Sequence, residues 1–126
     1  MTRLQLVQRI KRRKDQIGIT IENLSALSSV GVRTLNRFFA GDDVKLSTVE
    51  KITNVLGLDF AGNEVVDIKT LKQKRAKEKA LYIISLVQDT SSLEKQGLEQ
   101  GVLDTFVKDT QKEFLEGNYQ KNLWAS

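Results

Sequence analysis

Apolar side chains recur at spacings of three and four along most of this chain, in short blocks broken by glycine and polar turns. Between Thr20 and Gly41, in TIENLSALSSVGVRTLNRFFAG, the apolar positions Leu24, Leu27, Val30, Leu35 and Phe38 fit two short helices on one small core better than a single long helix. Thr20 caps the first, its hydroxyl accepting from the backbone N–H of Glu22 or Asn23. Ser28 to Gly31 interrupt it, and the second helix starts near Val32. Ahead of this pair, residues 3 to 16 predict an amphipathic helix. Leu6, Val7 and Ile10 lie on one face of it and Arg9, Lys11, Arg12, Arg13 and Lys14 lie around the rest. Ile17 and Ile19 fold the chain back. After the pair, GDDVKLS leads into a fourth helix through Val49, Ile52, Val55 and Leu56, stopped by Gly57. Ser47 and Glu50 have the spacing of a capping box at its start.

Gly62 and Asn63 break the pattern, and Val65, Val66 and Ile68 read as a short extended patch. Thr70 and Gln73 signal another helix start. Ala76, Ala80, Ile83, Ile84 and Val87 then follow at i, i+4, i+7, i+8 and i+11, which predicts a helix over 71–88. Ser91 or Ser92 opens a short helix to about Gly97. Val102, Leu103, Phe106, Val107 and Leu115 mark a last amphipathic helix ending near Gly117. The tail NYQKNLWAS is polar except for Tyr119, Leu123 and Trp124. The expected fold is all-α, with a first domain over 1–62 and a helical extension over 63–126. A cut after Gly62 should leave the first domain folded, since the fourth helix closes its small core.

If Leu35 and Phe38 face the core, then Val32, Arg33, Asn36 and Arg37 face solvent, with Thr34 beside them. These side chains suit the reading of bases. Arg donates two parallel hydrogen bonds to guanine, Asn pairs with adenine, and a Val or Thr methyl meets the thymine methyl. The frame Ile19, Thr20, Leu24, Ser25, Val30, Thr34, Leu35, Arg37 and Gly41, followed by Val49, Ile52, Leu56 and Gly57, resembles the helix-turn-helix of the phage lambda repressor and Cro-type (XRE) family over residues 3 to 62. That resemblance implies a lambda repressor-like domain that inserts the helix near 32–39 into the major groove. Phosphate contacts would come from Lys11, Arg12, Thr20, Asn23, Lys45 and Ser47. The chain departs from the family pattern at four places. Ile21 stands where many members carry Gln, Ser29 where Gly is usual, Gly31 where Ser or Thr caps the second helix, and Phe39 where an acid is common. A positive φ at Ser29 would carry a steric cost.

Charge sharpens this picture. The 126 residues carry a net charge of +4, and it is unevenly spread. Residues 1–62 hold ten basic and six acidic side chains, whereas 63–126 hold ten of each. Within the second half, Lys69 to Lys79 has six basic groups against Glu78 alone, and from Ala80 onward four basic groups face seven acidic ones. A basic face suits phosphate, and an acidic end is repelled by it. The KRRK run at Lys11 to Lys14 is either a solvated helix face or a phosphate-contacting one. With neither Cys nor His, a disulfide framework, a thiolate zinc site and the usual imidazole bases are excluded, and no metal or cofactor is expected. Asp42 and Asp43 read as a solvated turn, so an enzyme is not expected. No apolar run reaches the roughly 18 residues a membrane span needs, and the first residues lack a signal-like apolar core. The expectation is a cytoplasmic protein that does not enter membranes.

In the second half each helix carries one apolar stripe and buries little alone, so the stripes must meet the first domain or another chain. Ala76, Ala80, Ile83, Val87, Leu103, Phe106, Val107 and Trp124 are the candidate dimer or partner interface. A homodimer is the economical reading, since one short helix in one groove gives too few contacts for specificity. Two functions fit: a sequence-specific repressor acting as a homodimer, or an antitoxin that binds DNA and masks a toxin with its C-terminal region. Double-stranded DNA is the partner in both.

Overall fold

Helix α1 spans Arg3–Ile17 and is held at both ends by local chemistry. The Thr2 hydroxyl accepts from the Gln5 N–H at 3.2 Å while the Gln5 side-chain oxygen accepts from the Thr2 N–H at 2.8 Å, a reciprocal cap. Gly18 closes the helix at φ 80°, its N–H donating to Lys14 O. Helices α2 (Ile21–Ser28), α3 (Val32–Phe39) and α4 (Leu46–Val55) follow. The computed structural model describes residues 1–92 and 100–125, with 87–92 and 100 described by backbone alone.

Two units make up the chain, Met1–Leu71 and Lys72–Ala125. In the first, α2 packs on α3 and α4, and α1 packs on α3. Their shared core is Ile10, Leu24, Leu35, Ile52 and Leu56, all without exposure, edged by Val7, Ile17, Ile19, Val30, Phe38, Val49 and Leu58. Truncating any of the five to Ala would leave a cavity costing about 2–5 kcal/mol. The start of α4 differs from the sequence reading. Lys45 occupies the capping position and no side chain caps the helix, so Ser47 already lies in the first turn.

A tight loop follows α4. Gly57 stands at φ 69°, and a Cβ there would approach Val66 O at 3.2 Å. Its carbonyl accepts from both Val65 and Val66 N–H, at 2.9 and 3.1 Å. Asp59 Oδ1 accepts from the N–H groups of Ala61 and Asn63, each at 2.9 Å. Leu58 and Glu64 form one antiparallel bridge. The extended patch stops there, because Ile68 opens α5 (Ile68–Ser92).

Asp67, rather than Thr70, caps that helix, its carboxylate accepting from the Thr70 N–H at 3.2 Å. Hydrogen bonds from Thr70 hold the Asp67 carboxyl below the ordinary carboxylate range; those from Asn63 and then Ala61 do the same for Asp59. A carboxyl depressed in the folded state contributes its stability above the unfolded pKa and loses it as pH falls through the folded value. Acidification should therefore loosen the start of α5 only below the pH at which a free Asp titrates. The chemical shift of the Thr70 amide proton, followed by NMR, should have its midpoint below that of an unstructured Asp.

In the second unit, α5 is followed by α6 (Gln100–Leu115) and a 3-10 turn, Gln120–Asn122. Ala76, Ala80, Ile84, Phe114, Leu123 and Trp124 are buried. Arg75 ties the tail down, donating from Nε to Leu123 O at 2.9 Å and from Nη2 to Ala125 O at 2.6 Å. Gln111 Nε2 donates to Gln73 O at 3.2 Å, and Lys79 Nζ lies 6.0 Å from the centre of the Phe114 ring. Burial, then the neighbouring Arg75 charge, pushes the Lys79 ammonium pKa down. The helix expected over 71–88 thus runs from Ile68 to Ser92, taking in Ser91 and Ser92. The rest of the short helix expected up to Gly97 lies outside the described residues.

Candidate nucleic-acid interface

The turn between α2 and α3 is built from serines. Thr20 is extended and its hydroxyl accepts from the Asn23 N–H at 3.1 Å, as its position predicts. At the other end of α2, Ser28 is buried. Its Oγ donates to Leu24 O at 2.6 Å and accepts from the Val30 N–H at 3.3 Å, which turns the chain without leaving a polar group unpaired. Ser29 takes the left-handed conformation, φ 60°, that the sequence comparison with glycine anticipates. Gly31 then begins α3 with no side-chain cap.

Eight residues of α3 divide cleanly between core and solvent. Leu35 and Phe38 are buried, Phe38 meeting Phe39 edge-on with ring centres 5.1 Å apart. Val32, Arg33, Asn36 and Arg37 are exposed and Thr34 is half-buried. Arg37 Nε lies 3.6 Å from Asp42 Oδ2, with both side chains more than half exposed, so the pair is weak and gives way readily. Arg3 and Asp43 make a similar pair at 3.7 Å.

Thr34 and Arg37 share a groove of about 590 Å³ with Asp43, Val44, Lys45 and Thr48. The groove runs from α3 to the uncapped start of α4, where free backbone N–H groups and the helix dipole favour an anion. Thr20, Lys45 and Ser47 are exposed and Asn23 is half-buried. Val44 and Thr48 were not singled out by sequence. Thr48 lies one residue beyond Ser47, and only the earlier start of α4 places it in the first turn.

Lys11 and Arg12 do not join this groove. Both are exposed on α1 beside Gln8, Asp15 and Gln16, and Arg12 also lines a smaller groove with Arg9, Arg13, Gln16, Leu58, Gly62 and Glu64. Leu58 to Glu64 follow the C-terminal end of α4, whereas Lys45 precedes its start, and ten helical residues span about 15 Å. Arg13, read from sequence as part of the polar face, is buried. Its Nε donates to Leu56 O at 2.9 Å, its Nη1 to Glu64 at 2.6 Å and its Nη2 to Val66 O. A signal for this existed: Arg13 follows Ile10 by three and precedes Ile17 by four, on the apolar stripe itself.

Residues 10–63 match the helix-turn-helix family model. This segment is a helix-turn-helix domain of the lambda repressor and Cro type. No curated protein and no solved structure matches the chain. Such a domain is a DNA-binding regulatory module and not an enzyme family. Among the described residues, no helix is long and apolar enough to cross a membrane, and no cluster of acidic side chains could hold a metal ion.

The expected partner interface needs correction at three positions. Ala76 and Ala80 have no exposure and Trp124 only 7%, because the tail folds back on α5, so none of them offers a surface to a partner. Ile83, Leu103 and Val107 are half-buried and Phe106 is exposed; the side chain of Val87 lies outside the described residues. The apolar groups that do meet solvent are Leu81, Tyr82 and Leu86 on α5 and Val102 and Phe106 on α6.

Proposed function

We propose that this protein is a sequence-specific regulator of transcription, a cytoplasmic repressor that binds double-stranded DNA as a homodimer. One observation carries the reading of DNA sequence: α3 hides Leu35 and Phe38 and turns Val32, Arg33, Asn36 and Arg37 to solvent. Inserted in the major groove, the two arginines donate to guanine, Asn36 pairs with adenine, and Val32 and Thr34 meet thymine methyls. Lys45 and Ser47, with Thr20 and Asn23, hold the flanking phosphates and fix the register. Five large apolar side chains in the second unit, between 40% and 52% exposed except for Tyr82 at 64%, supply the dimer contact. Selection of bound sequences from a random duplex pool tests the proposal. Arg33→Ala or Arg37→Ala should lower affinity for the selected site by about 1–3 kcal/mol and relax one base position. An equal loss on random DNA would assign the arginine to phosphate instead.

The same exposed apolar side chains favour a second reading, an antitoxin that binds DNA through 1–71 and covers a toxin with its C-terminal helices. A short toxin-like reading frame beside the gene, and a complex whose mass requires a second kind of chain, would select it over the homodimer.

A further inference from the structure

The block from Lys69 to Lys79 is the most basic stretch of the chain, and the helix-turn-helix does not account for it. Its cations divide into two sets. Arg75 and Lys79 are half-buried, Arg75 donating to the Leu123 and Ala125 carbonyls and pairing with Glu78 at 3.6 Å, and Lys79 resting over Phe114. Lys69, Lys74 and Lys77 are exposed. With the exposed Gln73 they occupy positions i, i+4, i+5 and i+8 of α5, which share one helix face. Along this face the nearest carboxylates are Asp67, which caps α5, and Glu78, which pairs with Arg75. Lys72, half-buried, lies off it.

Folding does not favour this arrangement. Lys69 lies in the first turn of α5, where the helix dipole repels a cation, and Lys74 and Lys77 are like charges three residues apart. An external anion relieves both penalties. From Lys69 to Lys77 the face extends about 12 Å along the helix, over which a duplex axis carries about seven phosphate charges. We propose that this face of α5 is a second DNA-binding surface, in which Lys69, Lys74 and Lys77 neutralise backbone phosphates without reading bases. The proposal rests on the reading of this protein as a DNA-binding regulator. It adds a sequence-independent contribution, from outside residues 10–63, to that of α3.

The test compares the full chain with the triple variant K69Q/K74Q/K77Q, titrated against the selected duplex and a scrambled one at several salt concentrations. Each lost phosphate contact lowers the slope of log affinity on log salt by about 0.9, so the slope should fall by about 2 to 3. Affinity should drop by the same factor on both duplexes, while the preference between them stays unchanged. A second triple variant, K108Q/K112Q/K121Q, removes the same charge from the acidic end and should leave the slope as it is. Circular dichroism checks that both variants keep their helix content. If the parent chain prefers its selected site and both triples match its slope, the α5 surface is wrong and the regulator reading stands. Equal falls in both triples would reduce the effect to net charge and overturn the proposal. If the parent chain binds no duplex, both readings fall together.

Discussion

Replacing Arg13 with Ala should destabilise the first unit by about 2–4 kcal/mol, far more than the same change at its neighbour Arg12. Arg13 is 5% exposed, and its guanidinium is the charged donor for the Leu56 and Val66 carbonyls. A hydrogen bond to a charged group contributes about 1.5–3 kcal/mol, and a buried acceptor left empty costs its desolvation as well. Glu64 adds little, since its side chain is 52% exposed and is rehydrated when the arginine goes. Glu64→Gln should therefore cost under about 1 kcal/mol. Arg13→Lys should recover only part of the loss, because one ammonium cannot reproduce the fork that reaches both carbonyls. Urea unfolding of the four variants decides this. If Arg13→Ala and Arg12→Ala unfold at the same urea concentration, water has replaced the guanidinium and the clamp is not a source of stability.

That clamp shows where the sequence was legible and where it was not. The core of the helix-turn-helix follows from spacing, because Leu24, Leu35, Phe38, Val49 and Ile52 each lie on the single apolar stripe of a short helix. The exposed side of α3 follows by subtraction. Spacing says much less about polar side chains, whose place depends on partners distant in the chain. Arg13 and Arg12 are adjacent and chemically identical, yet one closes a loop 43 to 53 residues away and the other is exposed. The same holds for the helix starts. Ser47 with Glu50, and Thr70 with Gln73, have capping-box spacing, but each helix begins earlier, at Leu46 and Ile68, and only Asp67 caps with its side chain. In the tail, burial of Leu123 and Trp124 depends on carbonyls held by Arg75, 48 and 50 residues back. An apolar stripe tells that a residue is covered and not by what, which is why Ala76, Ala80 and Trp124 looked available to a partner.

The largest effect on function should come from removing residues 72–126. The cut belongs after Leu71 and not after Gly62, since a chain ending at 62 lacks the Val66 carbonyl and the Glu64 carboxylate that satisfy Arg13, and the Val65 and Val66 N–H groups that bond Gly57 O. The chain 1–71 keeps all of these, and the Asp67 cap with them. It should fold as a monomer, whereas the full chain should sediment as a dimer at micromolar concentration. Two linked reading heads hold each other near their half-sites, an advantage of about 10² to 10⁴ in affinity, so the truncated chain should bind its selected duplex weaker by about that factor. Its base preferences should survive, because α3 is intact. Phe106→Glu in the full chain separates loss of association from loss of the second unit. Phe106 is 40% exposed, so a charge there leaves the buried set Ala76, Ala80, Phe114 and Trp124 in place while opposing any apolar contact with another chain. This variant should also run as a monomer and bind DNA as weakly as the truncated chain. Should the unaltered full chain itself sediment as a monomer, Leu81, Tyr82, Leu86, Val102 and Phe106 would be left to meet a different protein, and the antitoxin reading would take the place of the homodimer.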